Sequence, residues 1–437
     1  MNTAETRALL RRLYDAGVAA AHPSTCLPAF LPEPPARGRL IVLAAGKAAG
    51  SMAEVAEHYY LDERSLPTDY IAGIAVTRTG YGRPTRIIEL VEAGHPVPDE
   101  AGLQATERVL ALADSAREGD LVLVLFSGGA SANWIAPAPG LTLDDKRALT
   151  RDLLRSGANI GEINTVRKHL SRIKGGRLAV RAAPARMVTL AISDVPGDDP
   201  SIIGSGPTVS DTSTLADSLE ILARRKIELS TAIADALHNP VNETPDPSHP
   251  AFANSSFRII ARTADMVAAA AKVAREAGFE PRVLGTDVEG EARNVAREHA
   301  DAARRAALMD RRAVLLSGGE LTVTIKGQGR GGPNQEYALA LAIALAGAPG
   351  IAAVAGDTDG TDGGGGKADD PAGAFIDETT ISRAQSLGLD PARFLDDNDS
   401  TGFFEELGDL LSPGPTCTNV NDLRAILVDT RGTAGEK

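Results

Sequence analysis

The run LVLVLF at residues 121–126 is followed at once by SGGASA at residues 127–132. A continuous apolar run of this length is typical of a strand buried on both faces, as in a parallel sheet. The small residues after it let backbone amides approach a phosphate or carboxylate closely, although adjacent glycines also occur in plain turns. We therefore expect a central strand whose end binds an anion through Ser127, Gly128, Gly129, Ala130 and Ser131.

Similar apolar runs flank this strand along the chain, at 40–44, 71–76 and 187–192. Helical patterns separate them, at roughly 47–59, 102–117, 143–157 and 168–182. Strands that alternate with helices are joined by right-handed crossovers into a parallel sheet. The pattern therefore predicts an α/β fold.

Residues 239–256 contain four prolines and few apolar residues, which marks a domain boundary. Beyond this segment the alternation of strands and helices begins again. We predict an N-terminal α/β domain at 1–245 and a second α/β domain at 255–430. Ligands are expected at the carboxyl ends of strands and in a cleft between the domains.

The formal net charge of −13 over 437 residues opposes nucleic-acid binding, because that affinity depends on neutralising phosphates. The amino terminus carries charges throughout, unlike a signal peptide, and no apolar run approaches the ~20 residues of a membrane helix. Cys26 and Cys417 fit neither a disulfide framework nor a metal-ligand spacing. We expect a cytoplasmic protein that acts on small molecules.

A lysine follows the strand at 40–44, in the segment AAGKAA of residues 44–49. If a helix starts here, the Lys47 ammonium and the helix amides near Gly46 form an anion site. The segment lacks the spacing of a Walker P-loop. A glycine turn with a surface lysine is the alternative interpretation.

Two further charged segments follow later in the first domain. The stretch 164–176 carries Arg167 and Lys168, which bind a carboxylate or polyphosphate or else form a solvated basic face. Asp194 follows the strand at 187–192. A carboxylate at a strand end usually holds Mg²⁺ or accepts a hydroxyl proton, although aspartate is also a common turn residue.

The second domain supplies four candidate residues. Glu320 follows one strand, Arg330 lies in the glycine-rich loop GQGRGG, and Asn334 opens the helix after that loop. Asp357 follows the strand at 351–355 and is a candidate Mg²⁺ ligand. An arginine flanked by glycines is free to make charge-assisted contacts with an anion.

The same loop also satisfies the dinucleotide pattern G-x-G-x-x-G, through Gly327, Gly329 and Gly332. Arg330 occupies the turn where the pyrophosphate would meet the backbone, and Pro333 removes an N–H from the helix start. The pattern also lies deep in the chain rather than at the start of a domain. We therefore interpret the loop as an anion-binding loop, not as a nicotinamide site.

Taken in order, eight segments resemble the class II glycerate kinases, a family that also includes proteins named hydroxypyruvate reductase. They cover about residues 40–428 and read AAGKAA, EAGHPVPDEAG, FSGGASA, EINTVRKHLSRIKGGRLA, ISDVPGDDPSIIGSGPT, LSGGELTVTIKGQGRGGPNQEYALALA, AGDTDGTDG and GPTCTNVNDLRAIL.

The resemblance implies a Rossmann-like parallel-sheet N-terminal domain, a smaller C-terminal α/β domain and an interdomain cleft. It implies ATP and a divalent cation, taken as Mg²⁺, and the conversion of D-glycerate to 2-phosphoglycerate. Lys47 and Arg330 match residues regarded as active-site groups in similar enzymes. Asp194 is our third catalytic candidate, and we assign ligand binding to Glu320 and Asn334.

Two alternatives remain open at this point. One is an NAD(P)H-dependent hydroxypyruvate reductase, and the other is a nucleotide-sensing protein that kept the fold without the catalysis. The expected partners are D-glycerate and ATP, with neither nucleic acid nor membrane, and a homodimer is left open.

Overall fold

The computed structural model describes residues 1–309, 312–363 and 367–430. The chain divides into two compact units. We call Cys26–Ile260 the Rossmann unit, and Met1–Thr25 together with Ala261–Lys437 the mixed-sheet unit. Within the described residues, no helix combines the length and the apolar character that crossing a bilayer requires.

The Rossmann unit is built on a six-stranded sheet. Its strands are β1 Leu40–Ala45, β2 Ile71–Arg78, β3 Glu89–Ala93, β4 Leu121–Phe126, β5 Arg186–Ile192 and β6 Ser255–Ala261. Their spatial order is β3-β2-β1-β4-β5-β6, and the pairs from β3 to β5 are all parallel. Every residue of β1 and β4 is buried, as expected for central strands covered on both faces.

This strand order has a functional consequence. From β1 the chain builds outward to β2 and β3, then returns to place β4 on the other side of β1. The loops after β1 and β4 therefore leave the sheet in opposite directions and open a crevice at the carboxyl ends. Ligands of open α/β sheets bind at such a switch point.

The mixed-sheet unit contains a second six-stranded sheet, in the order β13-β12-β11-β14-β9-β7. The remaining strands are β7 Glu280–Gly285, β8 Gly290–Glu291, β9 Ala313–Gly319, β10 Leu321–Thr322, β11 Ile351–Asp357, β12 Gly373–Ile376, β13 Leu410–Leu411 and β14 Asp422–Val428. Strand β14 runs antiparallel between β9 and β11, so Gly319, Asp422 and Asp357 lie side by side at one end. Strand β10 is short and pairs with β8 in parallel.

The α-helices cover these sheets. They are α1 Thr3–Ala21, α2 Pro23–Cys26, α3 Ala49–His58, α4 Glu100–Asp114, α5 Ala130–Asn133, α6 Leu143–Arg155, α7 Ile160–His169, α8 Arg177–Ala182, α9 Leu215–Arg224, α10 Thr231–His238, α11 Thr263–Glu276, α12 Ala292–Ala307, α13 Pro333–Leu345, α14 Thr380–Ser386, α15 Pro391–Asp396 and α16 Ser400–Leu407. Most of α13 is buried, which fits its nearly all-apolar sequence after the first turn.

Helix α1 belongs to the mixed-sheet unit, whereas the range predicted from sequence, 1–245, placed it in the first domain. It packs on α11, where a Cβ on Gly17 would lie 2.8 Å from Cγ of Met266. The buried Tyr14 hydroxyl donates a 2.7 Å hydrogen bond to the carbonyl oxygen of Asp357. An amphipathic pattern shows that a helix has a buried face, but not which sheet that face covers.

Two tyrosines offer a matched test of this placement. The Tyr60 hydroxyl donates to the carbonyl oxygen of Pro32 over 2.7 Å and is as fully buried as that of Tyr14. We expect Tyr14→Phe and Tyr60→Phe each to cost about 1 kcal/mol of unfolding free energy. By hydrogen exchange, only Tyr14→Phe should accelerate the amides of residues 357–362. Equal exchange in that segment for both variants would contradict the placement of α1.

Candidate functional site

The loops after β1 and β4 are fastened to each other at the switch point. The backbone N–H of Lys47 donates to the carbonyl oxygen of Gly128, and that of Ala48 donates to Oγ of Ser127, both over 2.8 Å. Gly46 has φ +114°, and a Cβ there would lie 2.4 Å from Ser127 atoms. Gly46 and Ser127 therefore set the shape of the loop after β1, and this shape brings Lys47 against the turn at 128–129.

That turn presents two successive backbone amides. Within the described residues, the N–H groups of Gly128 and Gly129 donate to no protein acceptor. Gly128 is buried, and Gly129 has φ +86°. Buried amides are almost always hydrogen-bonded, and adjacent amides in such a turn form a concave anion site. The geometry is suited to a phosphate or carboxylate oxygen.

Two side chains flank Gly129. A Cβ placed on Gly129 would lie 2.8 Å from Cδ2 and 2.9 Å from Nε2 of His95, and 3.4 Å from Cγ of Lys47. His95 was not among the residues we predicted for the site, although it lies in the segment EAGHPVPDEAG. Sequence gives little indication that this histidine lies near Gly129, because it follows β3, and the whole of α4 separates β3 from β4 along the chain.

The end of the SGGAS turn is tied to two later segments of the Rossmann unit. Ala130 is buried at the start of α5. Oγ of Ser131 lies 2.8 Å from Oγ of Ser205, and that hydroxyl donates to Oδ1 of Asn164 over 3.1 Å. Nζ of Lys174 donates to the carbonyl oxygen of Ser131 over 3.1 Å. These bonds engage the hydroxyl and the carbonyl oxygen of Ser131, whereas the two glycine amides stay available to a ligand.

A group of cations stands behind this network. Lys146 and Lys174 are both buried. Burial lowers the pKa of each amine, and the nearby charge of Arg167 lowers it further. The pKa of Lys146 falls to about 7. Arg167 is half-buried and burial lowers its pKa. Its carbonyl oxygen accepts from Lys146, but its guanidinium has no hydrogen bond or ion pair with any residue of the described ranges. A desolvated guanidinium without a protein acceptor is a suitable ligand for a carboxylate or phosphate.

Lys168 differs from its neighbour. Its ammonium is buried and forms a 3.0 Å ion pair with Asp211, a carboxylate that is also buried. Removing either partner would leave a buried charge without compensation. Of the two predicted anion ligands on α7, Arg167 therefore has the geometry for binding, and Lys168 is held in an internal pair.

The loop that carries Arg330 is pinned along its length by residues 397–401. Oδ1 of Asn398 accepts the amides of Lys326 and Gly327, at 2.7 and 3.0 Å, and Oδ1 of Asp399 accepts that of Arg330. The Arg330 guanidinium is exposed and donates to Glu405 over 2.7 Å. Exposed pairs of this kind are weak, so an incoming anion competes readily for Arg330.

The helix after this loop is closed by the protein's own carboxylate. Asp362 accepts the backbone amide of Asn334 at Oδ1 over 3.0 Å and that of Gln335 at Oδ2 over 2.9 Å. The backbone at Gly332 passes so close to Asp362 that a Cβ there would lie 2.3 Å from its carbonyl oxygen. A dinucleotide pyrophosphate uses the amides at the start of a helix. Here Asp362 accepts them, which counts against the dinucleotide-fingerprint interpretation of this loop.

Asn334 is part of the same buried network. Its side-chain amide donates to Asp422 over 2.6 Å, and Asp422 pairs with Arg424, which in turn donates to Ser317. Asn334 is thus engaged inside the protein. Its Oδ1, however, is buried without a hydrogen-bond partner in the described residues, so the ligand-binding role of Asn334 stays a prediction.

The remaining candidates lie at strand ends. Asp194 is half-buried after β5, Glu320 is exposed after β9, and Asp357 is half-buried at the last position of β11. Within the part of the chain that the structure describes, no group of three or more histidine, cysteine or acidic side chains could hold a metal ion by itself.

Comparisons with known proteins agree with this architecture. A family model described as a domain of unknown function (DUF4147) matches residues 9–238, and the MOFRL family model matches residues 313–422. A Thermotoga maritima protein named D-glycerate 2-kinase is 42% identical over 390 residues, covering 88% of this chain and 89% of the relative. The chain belongs to the glycerate kinase family.

Two further proteins are similar to this member of the glycerate kinase family over nearly its whole length. The crystal structure of a glycerate kinase from Thermotoga maritima superposes with a TM-score of 0.84 at 39% identity, covering 97% of this chain and 99% of that one. An Agrobacterium vitis protein named provisionally a hydroxypyruvate reductase is 47% identical over 433 residues, or 98% of this chain and 95% of the relative. The predicted family and fold class are confirmed, as is the prediction of a kinase-family enzyme.

The Asp362 carboxyl gives this glycerate kinase family member a pH-dependent contribution to stability. Burial raises its pKa to about 7, and the Asp422 charge adds to the rise, although the amides of Asn334 and Gln335 oppose it. Since an unfolded aspartate has a pKa of about 3.9, the folded state binds the extra proton between these values. The Asp362 contribution to stability therefore falls as the pH rises from about 4 to 7.

Asp362→Asn mimics the protonated carboxyl at every pH. We expect its unfolding free energy, relative to the unchanged protein, to increase by roughly 1–4 kcal/mol between about pH 4 and pH 8, with most of the change below about pH 7. Urea unfolding of both proteins across this range measures the difference. A difference that stays constant with pH would show that Asp362 does not titrate in the folded state.

Proposed function

We propose that the chain transfers the γ-phosphoryl group of ATP to the 2-hydroxyl of D-glycerate, giving 2-phosphoglycerate and ADP in one in-line step. The observation that carries the proposal is a pair of amides, at the buried Gly128 and the half-buried Gly129, that donate to no acceptor among the described residues. Lys47 lies beside them at the switch point of the Rossmann sheet. Phosphoryl transfer requires mainly positioning and charge stabilisation, which donors fixed in this way supply.

Each group has a part in this proposal. The Gly128 and Gly129 amides and the Lys47 ammonium hold the transferring phosphoryl group and stabilise the charge on its oxygens. Arg167, which has no acceptor among the described residues, binds the glycerate carboxylate. Arg330 is retained as a catalytic residue because it matches the family motif, and its pair with Glu405 yields to an anion. The relative from Thermotoga maritima that is named D-glycerate 2-kinase supports this choice of substrate.

Mg²⁺ fits this arrangement as a partner of ATP. Kinases commonly hold Mg²⁺ through nucleotide phosphates, waters and one or two carboxylates, so a site of three protein ligands is not required. Asp194 and Asp357, each at the carboxyl end of a strand, are the candidate carboxylates. When bound, the ion neutralises phosphate charge.

Hydroxypyruvate reduction is the second candidate, because a relative 47% identical to this chain has that provisional name. The closure of the α13 start by Asp362 counts against a nicotinamide site at the one G-x-G-x-x-G pattern we identified. A nucleotide-sensing protein without catalysis is the third.

One set of assays separates the three. The protein is incubated with D-glycerate and MgATP, and the products are identified by phosphorus NMR, with a sample lacking glycerate as the control for ATP hydrolysis. A parallel sample contains hydroxypyruvate with NADH or NADPH, followed by absorbance. We expect 2-phosphoglycerate in the first and no oxidation in the second. Nicotinamide turnover without phosphoglycerate would establish the reductase, and ATP binding with neither product would establish the sensor.

A further inference from the structure

The reaction proposed above releases a proton, and few groups at the switch point can accept it. As the hydroxyl oxygen of glycerate bonds to the γ-phosphorus, the bond from that phosphorus to the bridging oxygen breaks, and ADP leaves with the electron pair. The hydroxyl proton must pass to a base. The Lys47 ammonium, the Arg167 guanidinium and the backbone amides are hydrogen-bond donors without an acceptor site.

His95 is the exception. A neutral imidazole has one nitrogen that accepts a proton, and its ordinary pKa lies near neutrality, where a general base is most effective. The ring edge formed by Cδ2 and Nε2 faces Gly129, at 2.8 and 2.9 Å from the position of a Cβ on that residue. The imidazole is therefore beside the amides that hold the phosphoryl group in the proposed reaction, and across Gly129 from Lys47.

The loop after β3 fixes this position. A Cβ on Gly94 would lie 2.5 Å from the carbonyl oxygen of Val97 and 3.0 Å from Cγ of Asp99, so the chain folds back tightly around His95. Oδ1 of Asp99 caps α4 by accepting the amide of Gly102 over 2.9 Å. The imidazole is half-buried.

We propose that His95 is a catalytic residue that accepts the glycerate hydroxyl proton during transfer and then releases it to solvent. This inference rests on the proposed function. It removes that role from Asp194, which keeps its part as a candidate Mg²⁺ ligand. Nothing in the family matches or their names assigns a role to this histidine.

Three variants test the proposal with D-glycerate and MgATP. Both His95→Ala and His95→Gln should lower kcat by about 100-fold or more while the KM for glycerate changes only a few-fold, because glutamine keeps the polar contact but cannot take the proton. Free imidazole should restore activity to His95→Ala. The control is His238→Ala, an exposed histidine at the end of α10, which should be fully active and insensitive to imidazole.

Three results of these assays would overturn either the role of His95 or the proposed function. A His95→Gln protein with the unchanged kcat would overturn the proposal, since His95 would then only bind. A slow His95→Ala protein that no member of a series of substituted imidazoles stimulates would overturn it as well. If His95→Ala does not fold, the rate of His95→Gln alone decides. Absence of phosphoglycerate from the unchanged protein is seen in the same assay and would refute the proposed function itself, separately from the role of His95.

Discussion

Replacing Gly129 with alanine should lower kcat/KM for glycerate phosphorylation by about 100-fold or more, because each 1.4 kcal/mol lost at the transition state costs a factor of ten. The new Cβ would lie 2.8 Å from the His95 ring, so the ring must move away from the amides it flanks, whereas its 3.4 Å approach to Cγ of Lys47 is ordinary van der Waals contact. A displaced proton acceptor, together with strain in the turn that positions the transferring group, lowers the rate. Steady-state kinetics with D-glycerate and MgATP measure the change.

Gly140 provides the matched control. Its φ of +85° is nearly the same as the +86° of Gly129, so alanine meets the same left-handed strain of roughly 1–2 kcal/mol at both positions. A Cβ at Gly140, however, meets nothing within 4 Å. Both variants should therefore lose similar stability, and only Gly129→Ala should lose activity. Equal activity in the two variants would contradict the proposal that the turn at 128–129 holds the transferring phosphoryl group.

Removing the Lys47 ammonium is the second change with a large expected effect. Lys47→Ala should reduce kcat/KM by about 10³-fold, since the loss of one preorganised donor commonly costs 10²–10³ in rate and this donor also carries a full charge. The fold should remain intact, because the loop at this point is held through backbone bonds, from the Lys47 amide to Gly128 and from Ala48 to Ser127. Thermal unfolding checks that expectation, and kinetics check the rate.

Lys272, an exposed residue of α11, supplies a control for the loss of one positive charge from the chain. Lys272→Ala should leave kcat/KM within about two-fold, because single exposed charges contribute little. A Lys47→Ala protein as active as Lys272→Ala would refute the catalytic role of Lys47.

The parallel core of the Rossmann unit could be predicted from sequence, because a strand buried on both faces leaves an unbroken apolar run. The runs at 40–44 and 121–126 correspond to β1 and β4, where every residue is buried. The turn at 127–131 could be predicted for a related reason, because small residues directly after a buried strand mark its end, whereas anion binding by this turn stays a prediction. Local composition was sufficient in both cases.

Long-range pairing could not be predicted in the same way. The Asp362 carboxyl reaches back to the helix start at Asn334, and Asp422 approaches the same asparagine from the far end of the chain. Sequence shows that each of these residues is polar, but not that both carboxylates hydrogen-bond to the same asparagine. The role of Asn334 as a ligand contact therefore stays a prediction, and sequence alone does not reveal that Asp362 occupies the helix start after the glycines.

The glycines near Arg330 illustrate the same limit. A Cβ on Gly327 would lie 2.2 Å from the carbonyl oxygen of Asp397, and one on Gly329 would lie 2.3 Å from Cβ of Asp399. These glycines are therefore required by the close passage of another segment of the chain rather than by a bound phosphate. A pattern of glycines indicates that another group approaches the backbone closely, but it does not identify that group.

The most direct test of the whole account is a crystal structure of the protein with D-glycerate and a non-hydrolysable ATP analogue. We predict γ-phosphate oxygens within about 3 Å of the Gly128 and Gly129 amide nitrogens and of Nζ of Lys47. Phosphates bound elsewhere, with those two amides facing only water, would contradict it.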